Sequence, residues 1–235
     1  MKKIFASVAV VFAFLIVLSS CNINSNLTQP QLGAVLAAQI SPDAPSLGVY
    51  VNNNAFDTGM VLGTYTGYAT INPGTYTFST IPSGTTTANY HTTATIEANK
   101  YYSFFLIDSF SHVQSAFVND AFQKPSGDSS YIRFFNFALN LQQPISLINS
   151  ANAAALSSSR IFNDQASNPQ YVSFYEVPAG TYTLQLKTDL SDSVIASRSI
   201  PLTGGHVYTL YARGIYGSTD TTKAITIGQL ENYPQ

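Results

Sequence analysis

Side chains that could perform acid–base or metal chemistry are few and scattered in this chain. Its 235 residues include 12 Asp and Glu residues and three histidines. His91, His112 and His206 lie on different segments, without the short spacing of a metal-binding pair, and surface turns explain all three. A Gly-x-Ser-x-Gly elbow, a His-Glu-x-x-His motif and a phosphate-binding glycine loop are all missing. The sequence therefore predicts no enzyme, no metal site and no cofactor.

Two polar segments leave cation binding open. Asp43 lies between Pro42 and Ala44-Pro45, where we expect its carboxylate to bond nearby backbone N–H groups in an Asx-type turn. Residues 52–57, from Asn52 to Asp57, weakly resemble a calcium loop with its alternating Asp and Asn ligands. A structural turn is the favoured interpretation of both segments, with a cation site as the alternative.

The N-terminus contains the most specific chemical signal, around the single cysteine. Lys2 and Lys3 precede an apolar run over residues 4–18, which is too short to span a bilayer and typical of a signal peptide. The run ends in Leu18-Ser19-Ser20-Cys21, which resembles the bacterial lipobox. That resemblance implies cleavage of residues 1–20 and a diacylglyceryl group on the Cys21 sulfur. The alternatives are an ordinary cleaved signal or an uncleaved anchor.

The expected location follows from this anchor. Residues 21–33 are polar and without periodicity, as expected for a lipidated, flexible tether. We therefore expect a cell-envelope protein, held in the outer membrane of a Gram-negative bacterium by lipid on Cys21. The sequence leaves both the periplasmic and the surface face open. Because basic residues are scattered singly and the net charge is −2, no nucleic-acid partner is expected.

The composition and the spacing of apolar runs indicate an all-β fold. Tyr and Phe number 15 each, and charged residues are only 9% of the chain. Short apolar runs separated by Gly, Pro, Asn and Asp predict strands over residues 47–51, 65–71, 75–81, 90–96 and 101–107. The last of these is apolar almost throughout and so should be a central strand covered on both faces. Residues 150–158 are expected to form a loop, with at most one helical turn.

An internal repeat sets the number of domains. Gly74-Thr75-Tyr76-Thr77 recurs as Gly180-Thr181-Tyr182-Thr183, and the strand after each copy repeats at the same offset of 106 residues. Upstream, the segment 50–52 aligns best with 147–149. We therefore predict two domains, at 34–122 and 131–235, joined by a polar linker at 123–130.

The repeated segment has a structural explanation of its own. Gly74 and Gly180 can take positive φ in a turn before a strand. Tyr76 and Tyr182, two residues later, can pack inward and bond neighbouring backbone, like the tyrosine corner of sandwich folds. We interpret all four residues as structural.

The segment that includes Pro42, Asp43 and Pro45, with the Val-Tyr-Val-Asn strand at 49–52, resembles the domain-of-unknown-function family DUF4397. The later Pro-Gly-Thr-Tyr and Lys-Tyr-Tyr-Ser-Phe segments resemble its middle and end. The resemblance implies two tandem immunoglobulin-like antiparallel β-sandwich domains of unknown activity in a secreted or lipid-anchored protein. Gln39 and Gly48 depart from the family pattern, which often has His and Asp there.

The expected function is a non-enzymatic envelope module with a structural or protein-interaction role, and its specific partner is open. The alternative is a glycan-binding or adhesive surface lipoprotein that stacks sugars on tyrosines. The candidate residues for stacking are Tyr65, Tyr68, Tyr216 and Tyr233. Ser193 and Thr221 each follow an Asp, in a pattern that resembles an O-glycosylation acceptor, and their modification stays open. The oligomeric state also stays open.

Overall fold

The computed structural model describes residues 31–233, which form sixteen strands and three short 3-10 turns. The predictions for the signal peptide, the lipobox and Cys21 lie outside these described residues. Within them, no helix is long and apolar enough to cross a membrane. The strands are β1 (Gly33–Gln39), β2 (Leu47–Val51), β3 (Asn54–Met60), β4 (Ala69–Ile71), β5 (Gly74–Pro82), β6 (Tyr90–Ile96), β7 (Tyr101–Ile107), β8 (Gln114–Asn119), β9 (Ser129–Asn136), β10 (Ile145–Asn149), β11 (Ala154–Arg160), β12 (Tyr175–Pro178), β13 (Gly180–Thr188), β14 (Val194–Leu202), β15 (Val207–Arg213) and β16 (Thr226–Tyr233).

Strands β1–β8 form two four-stranded sheets, which we call copy one. Its inner sheet has the order β4-β1-β7-β8, and its outer sheet has the order β3-β2-β5-β6. Only β1 and β7 pair in parallel, and the other neighbours are antiparallel. The two sheets enclose an apolar core that includes Val35, Leu47, Phe78 and Phe104.

Strands β9–β16, which we call copy two, repeat this plan. The inner sheet has the order β12-β9-β15-β16, the outer sheet has the order β11-β10-β13-β14, and β9 and β15 are again the parallel pair. The core between them includes Ile132, Leu147, Leu184 and Leu210. The predicted all-β fold with two sandwich-like units is confirmed, while its immunoglobulin-like character stays a prediction.

The inner sheets are apolar on both faces because they also pack against each other. Along β1, Val35 and Ala37 face the core of copy one, while Leu36 and Ala38 belong to a third apolar cluster. The third cluster contains residues of both copies, and Phe105 of β7 meets the ring of Phe135 of β9 at 5.7 Å between centroids. The molecule is therefore a stack of four sheets, with the two inner ones shared between three cores.

Several predicted strands match the structure, and two segments do not. β2, β6 and β7 have the predicted bounds, and β7 is a buried central strand as expected. The strand predicted at 65–71 is shorter, because the continuous pairing with β1 covers Ala69–Ile71, while Tyr65 forms only an isolated bridge with Ala38. The loop expected at 150–158 is wrong, because β11 covers Ala154–Arg160 and pairs with β10.

The two copies correspond strand by strand in sheet order and pairing. Val51 pairs with Phe78 in copy one, and Asn149 pairs with Leu184 in copy two. Because Phe78 and Leu184 are 106 residues apart, Val51 corresponds to Asn149. The sequence alignment of 50–52 with 147–149 is therefore wrong by one residue. The segment 161–174 of copy two is longer than its counterpart 61–68, and it contains the 3-10 turns Asp164–Ala166 and Pro169–Val172.

Candidate functional site

The two repeated tyrosines close equivalent corners of the fold. The Tyr76 hydroxyl donates to the Asn72 carbonyl at 2.9 Å, and the Tyr182 hydroxyl donates to the Pro178 carbonyl at 2.8 Å. Gly74 precedes the first tyrosine and Gly180 the second, both with φ of 157°. Each hydroxyl bonds backbone four residues upstream, so these residues position the chain where it enters β5 and β13.

The segment Pro42-Asp43-Ala44-Pro45 bonds a distant part of the chain. Asp43 Oδ1 accepts the backbone N–H of Phe110 at 2.7 Å, at the start of the 3-10 turn Phe110–His112. The expectation of an Asx-type turn with nearby backbone is wrong, since the partner lies 67 residues away. Asp43 therefore ties the β1–β2 connection to the β7–β8 connection.

Residues 52–57 direct their polar atoms at backbone. Asn52 Oδ1 accepts the Thr77 N–H at 2.9 Å, and Asp57 Oδ1 accepts the Gly59 N–H at 2.8 Å. Over residues 31–233, the structure contains no group of three or more His, Cys, Asp or Glu side chains that could hold a metal ion. Among the histidines, His206 contacts Glu231 and His112 contacts Ser111.

The largest concentration of buried polar groups lies between the two inner sheets, centred on Asp120. This carboxylate follows β8 and forms an ion pair with Arg133 of β9, and both side chains are fully buried. Asp120 Oδ2 also accepts the hydroxyls of Ser103, at 2.7 Å, and of Tyr68, at 2.6 Å. Burial and the neighbouring Asp120 charge raise the pKa of the Tyr68 hydroxyl far above its ordinary value, so it remains a donor.

Copy two completes this network with matching groups. Thr209, which is 106 residues after Ser103, accepts from Arg133 Nε at 2.8 Å and donates to Asn232 Oδ1 at 2.7 Å. Asn232 Nδ2 in turn donates to the Tyr68 hydroxyl at 2.9 Å. We call these residues the interface network: Tyr68, Ser103, Asp120, Arg133, Thr209 and Asn232. Because three of them belong to each half of the chain, the network fixes how the two copies dock.

The interface network holds the two inner sheets in one fixed alignment. A buried ion pair gains little net stability over apolar packing, but breaking it leaves a buried charge without a partner. Arg133 also lies over the rings of Phe135, at 4.7 Å, and Phe174, at 4.2 Å. Any sliding of one inner sheet over the other would separate these groups. No sequence motif marks this network, and its one signal is a lone Arg and a lone Ser in apolar strands.

Three surface clefts lie around the docked sandwiches. One, of about 590 Å³, separates β8 from the 3-10 turns of copy two. A second, of about 630 Å³, is lined by aromatic rings and by Asn99 and Asn232. A third, of about 610 Å³, lies between residues 42–46 and the basic side chains of Arg213 and Lys223.

The tyrosines expected to stack sugars are divided among different environments. Tyr68 is occupied in the interface network, and the Tyr65 hydroxyl accepts the Glu231 N–H at 3.5 Å. Tyr216 is half exposed on its own loop, while Tyr233 lines the aromatic cleft, which the edge of Tyr68 also reaches. The structure therefore does not bring these four residues together as one platform.

The fold and its docked interface define a class: tandem four-stranded-sheet sandwiches fused through their inner sheets. Residues 33–143 match the family model described as "Domain of unknown function (DUF4397)", which supports this family for that region of the chain. The match covers copy one and continues through β9. It confirms the family suggested by the residues around Pro42.

Comparisons with whole proteins add little beyond the family. No curated protein matches the chain. Among solved structures, the Bacillus anthracis TIE protein is similar at 9% sequence identity, over 78% of this chain and 34% of that protein, with a TM-score of 0.25. The chain thus spans about a third of that protein's length.

Proposed function

We propose that this protein is a non-enzymatic lipoprotein of the bacterial cell envelope, anchored through Cys21, which presents a rigid double sandwich for contact with another envelope protein. The observation that supports it best is the docking of the two copies. A shared apolar cluster and the fully buried Asp120–Arg133 pair hold both sandwiches in one fixed arrangement. Such a body suits the positioning of a binding surface.

The chemistry of the described residues is consistent with a binding role. The strongest polar cluster, the interface network, lies between the inner sheets, and its members bond one another. A catalytic site needs its acid, base or nucleophile within reach of a substrate. The interface network meets a structural need instead, and the surface clefts remain as places for a partner.

The anchor is tested by replacing Cys21 with Ala and labelling cells with a tagged fatty acid. We expect loss of lipid label and release of the protein into the soluble fraction, since the thiol is the lipid acceptor. Ser20→Ala is the matched control, because a second small residue at that position preserves the lipobox pattern, and it should stay labelled. Membrane retention of the Cys21→Ala protein would refute the lipobox assignment.

The membrane face is tested with a protease that does not enter intact cells. Digestion of the protein on intact cells would support a display role at the surface. Protection until the cells are broken would support a partner on the inner side, and cross-linking would then identify that neighbour.

Glycan binding is the second candidate, and the aromatic cleft favours it. Tyr101 is half exposed there, with Tyr68 edge-on at 5.1 Å and Phe122 at 5.5 Å between ring centroids. Aromatic faces stack on sugar rings, and amides such as Asn99 can bond their hydroxyls. Tyr101→Ala should abolish retention on a polysaccharide column, whereas Tyr216→Ala, on another exposed loop, should not. Equal retention of both variants and the unaltered protein, or retention of none, would exclude this cleft.

A further inference from the structure

The inner sheet of copy one ends at β8, which is an edge strand. We propose that the β8 edge binds an extended, uncharged polypeptide segment of a partner protein, which adds to the inner sheet as a fifth strand. This inference rests on the protein-contact role proposed above and specifies the class of partner. It follows from the backbone groups of β8, from the wall opposite them and from a difference between the two copies.

The first observation is the direction of the β8 backbone groups. The Asp120 N–H donates to the Tyr101 carbonyl at 2.8 Å, which fixes the alternation of hydrogen bonds between β7 and β8. By this alternation, the N–H and C=O groups of Ser115, Phe117 and Asn119 point away from β7. Within residues 31–233, none of these groups bonds another segment. They repeat at the spacing of an extended chain, which is the pattern that a bound strand satisfies.

The second observation is that the equivalent edge of copy two is closed by side chains. Arg198 Nη1 donates to the Ile227 carbonyl of β16 at 2.7 Å. The Tyr65 hydroxyl accepts the Glu231 N–H of the same strand. Both contacts occupy outward groups of β16, so an incoming strand would have to displace them. Within residues 31–233, no side chain forms such a bond with the outward backbone groups of β8, and the Tyr90 hydroxyl of β6 bonds only the Ser115 side chain.

The residue that makes the difference can be identified from strand register. Arg198 is paired with Leu184 in β14, and the corresponding position in β6 is Thr92, which is paired with Phe78. Threonine is too short to reach the β8 backbone as Arg198 reaches β16. The open edge therefore results from a side-chain difference on an otherwise repeated framework.

The third observation is the wall that faces β8. The 3-10 turns of copy two form the far side of a cleft of about 590 Å³, and none of its described lining residues is charged. Gln165 lines this wall, is 4% exposed, and its Oε1 has no hydrogen-bond partner in the described chain. The wall that faces β8 is therefore uncharged, and it contains one amide oxygen that the described chain leaves unpaired.

The dimensions and chemistry of the cleft suit four or five residues of peptide. From Ser115 to Asn119 the edge extends roughly 13 Å, at the ordinary rise of a strand. The apolar wall residues Ala166, Pro169 and Val172 favour small or apolar side chains on the segment. Because the lining is uncharged, a charged segment would lose solvation without gaining an ion pair.

The test uses the purified protein, labelled with 15N, and a capped five-residue peptide of alternating Thr and Val. We expect concentration-dependent amide shifts at Ser115, Phe117 and Asn119, because strand addition depends on the backbone rather than on one sequence. The same peptide with methylated backbone nitrogens should produce no shifts, since it lacks the donors. Equal binding of both peptides, shifts confined to another region, or no shifts at millimolar peptide would each overturn the proposal.

A pair of variants tests the difference between the copies. Thr92→Arg places at β6 the side chain that closes β16, and it should weaken peptide binding roughly tenfold. Thr93→Arg adds the same charge on the opposite, exposed side of β6 and should bind as the unaltered protein does. Unchanged binding by the Thr92→Arg protein would overturn the proposal.

The outcome also separates this inference from the proposed function. If the Thr92→Arg protein remains anchored and cross-links to the same neighbour, strand addition at β8 is wrong while the protein-contact role stands. If the unaltered protein carries no lipid label, or cross-links to no neighbouring protein, the proposed function is wrong. This holds whether or not the peptide binds β8 in solution.

Discussion

Copy one and copy two share their framework and differ on the faces that meet. Both have the same sheet order, one parallel strand pair and a tyrosine bonded four residues upstream. The turns that precede β7 and β15 are also alike. The Tyr102 hydroxyl accepts the Glu97 N–H, and the Tyr208 hydroxyl accepts the Thr203 N–H. The repeated parts are those that each sandwich needs for its own fold.

The differences lie where the copies dock. Leu36 of β1 pairs with Ser103, and Arg133 of β9 pairs with Thr209, so an apolar residue in one copy corresponds to a buried cation in the other. The charge that balances this cation, Asp120, belongs to copy one. The docking faces of the two copies are thus complementary, with the acid on copy one and the base on copy two.

The largest expected effect on stability comes from replacing Arg133 of copy two with leucine, the residue at the corresponding position 36 of copy one. Arg133→Leu should lower the free energy of unfolding by about 3–5 kcal/mol, because it leaves the buried Asp120 charge unpaired. Urea unfolding followed by circular dichroism measures this change. Adding Asp120→Asn, which removes the charge, should restore a large part of the loss. A single variant as stable as the unaltered protein would contradict the expectation that Asp120 depends on Arg133.

The second comparison concerns the wall of the cleft. Arg160 binds Asp164 through Nε at 3.0 and 2.9 Å, while the corresponding residues of copy one are Met60 and Thr64. Arg160→Met should cost about 2–4 kcal/mol, because Asp164 stays buried without its partner. Thermal unfolding should show a smaller loss in the double variant Arg160→Met with Asp164→Thr. A double variant less stable than the single one would contradict the equivalence of these positions.

The tyrosine corners should respond alike. Tyr76→Phe and Tyr182→Phe each remove one hydroxyl bond to backbone and should cost about 0.5–1.5 kcal/mol. Denaturant midpoints of the two variants measure the losses. Tyr216→Phe, at a half-exposed position, is the control and should be neutral. A loss at only one corner would mean that the repeat has diverged there.

The smallest effect concerns the loop after β15, which is longer in copy two. The Thr222 hydroxyl and backbone N–H bond Asp220 and lower the pKa of its carboxyl. A lowered folded-state pKa contributes stability above the unfolded pKa, which is lost as the pH falls through the folded pKa. Thr222→Val should therefore move the pKa of Asp220 back toward its ordinary value in an NMR titration. An unchanged titration would rule out the hydroxyl as the main cause.

The sequence predicted each sandwich better than their docking. Alternation and turn residues determine β2, β6 and β7 locally, and the repeat offset relates the second half to the first. Residues 154–160, rich in Ala and Ser, lack the β-branched pattern of a strand, and pairing with β10 decides their structure. Local pattern cannot show such tertiary pairing.

Most of the candidate site could not be predicted from the sequence, because it also depends on tertiary packing. Arg133 and Asp120 lie on different elements, and only the packing of two sheets brings them together. A buried Arg in an apolar strand needs a partner, so the type of partner could have been expected, but not which acid. The β8 edge depends on the absence of an Arg198 equivalent, which is visible only after the strands are paired.

The sharing of the inner sheets has a consequence for the time course of synthesis. Copy one leaves the ribosome first, and its face with Leu36 and Phe105 stays uncovered until β9 and β15 arrive. At about 5–20 residues per second, the roughly 100 residues of copy two need ~5–20 s. During this interval a newborn chain can associate with another through the same face. We therefore expect premature termination after β8 to yield an aggregating product rather than a stable half.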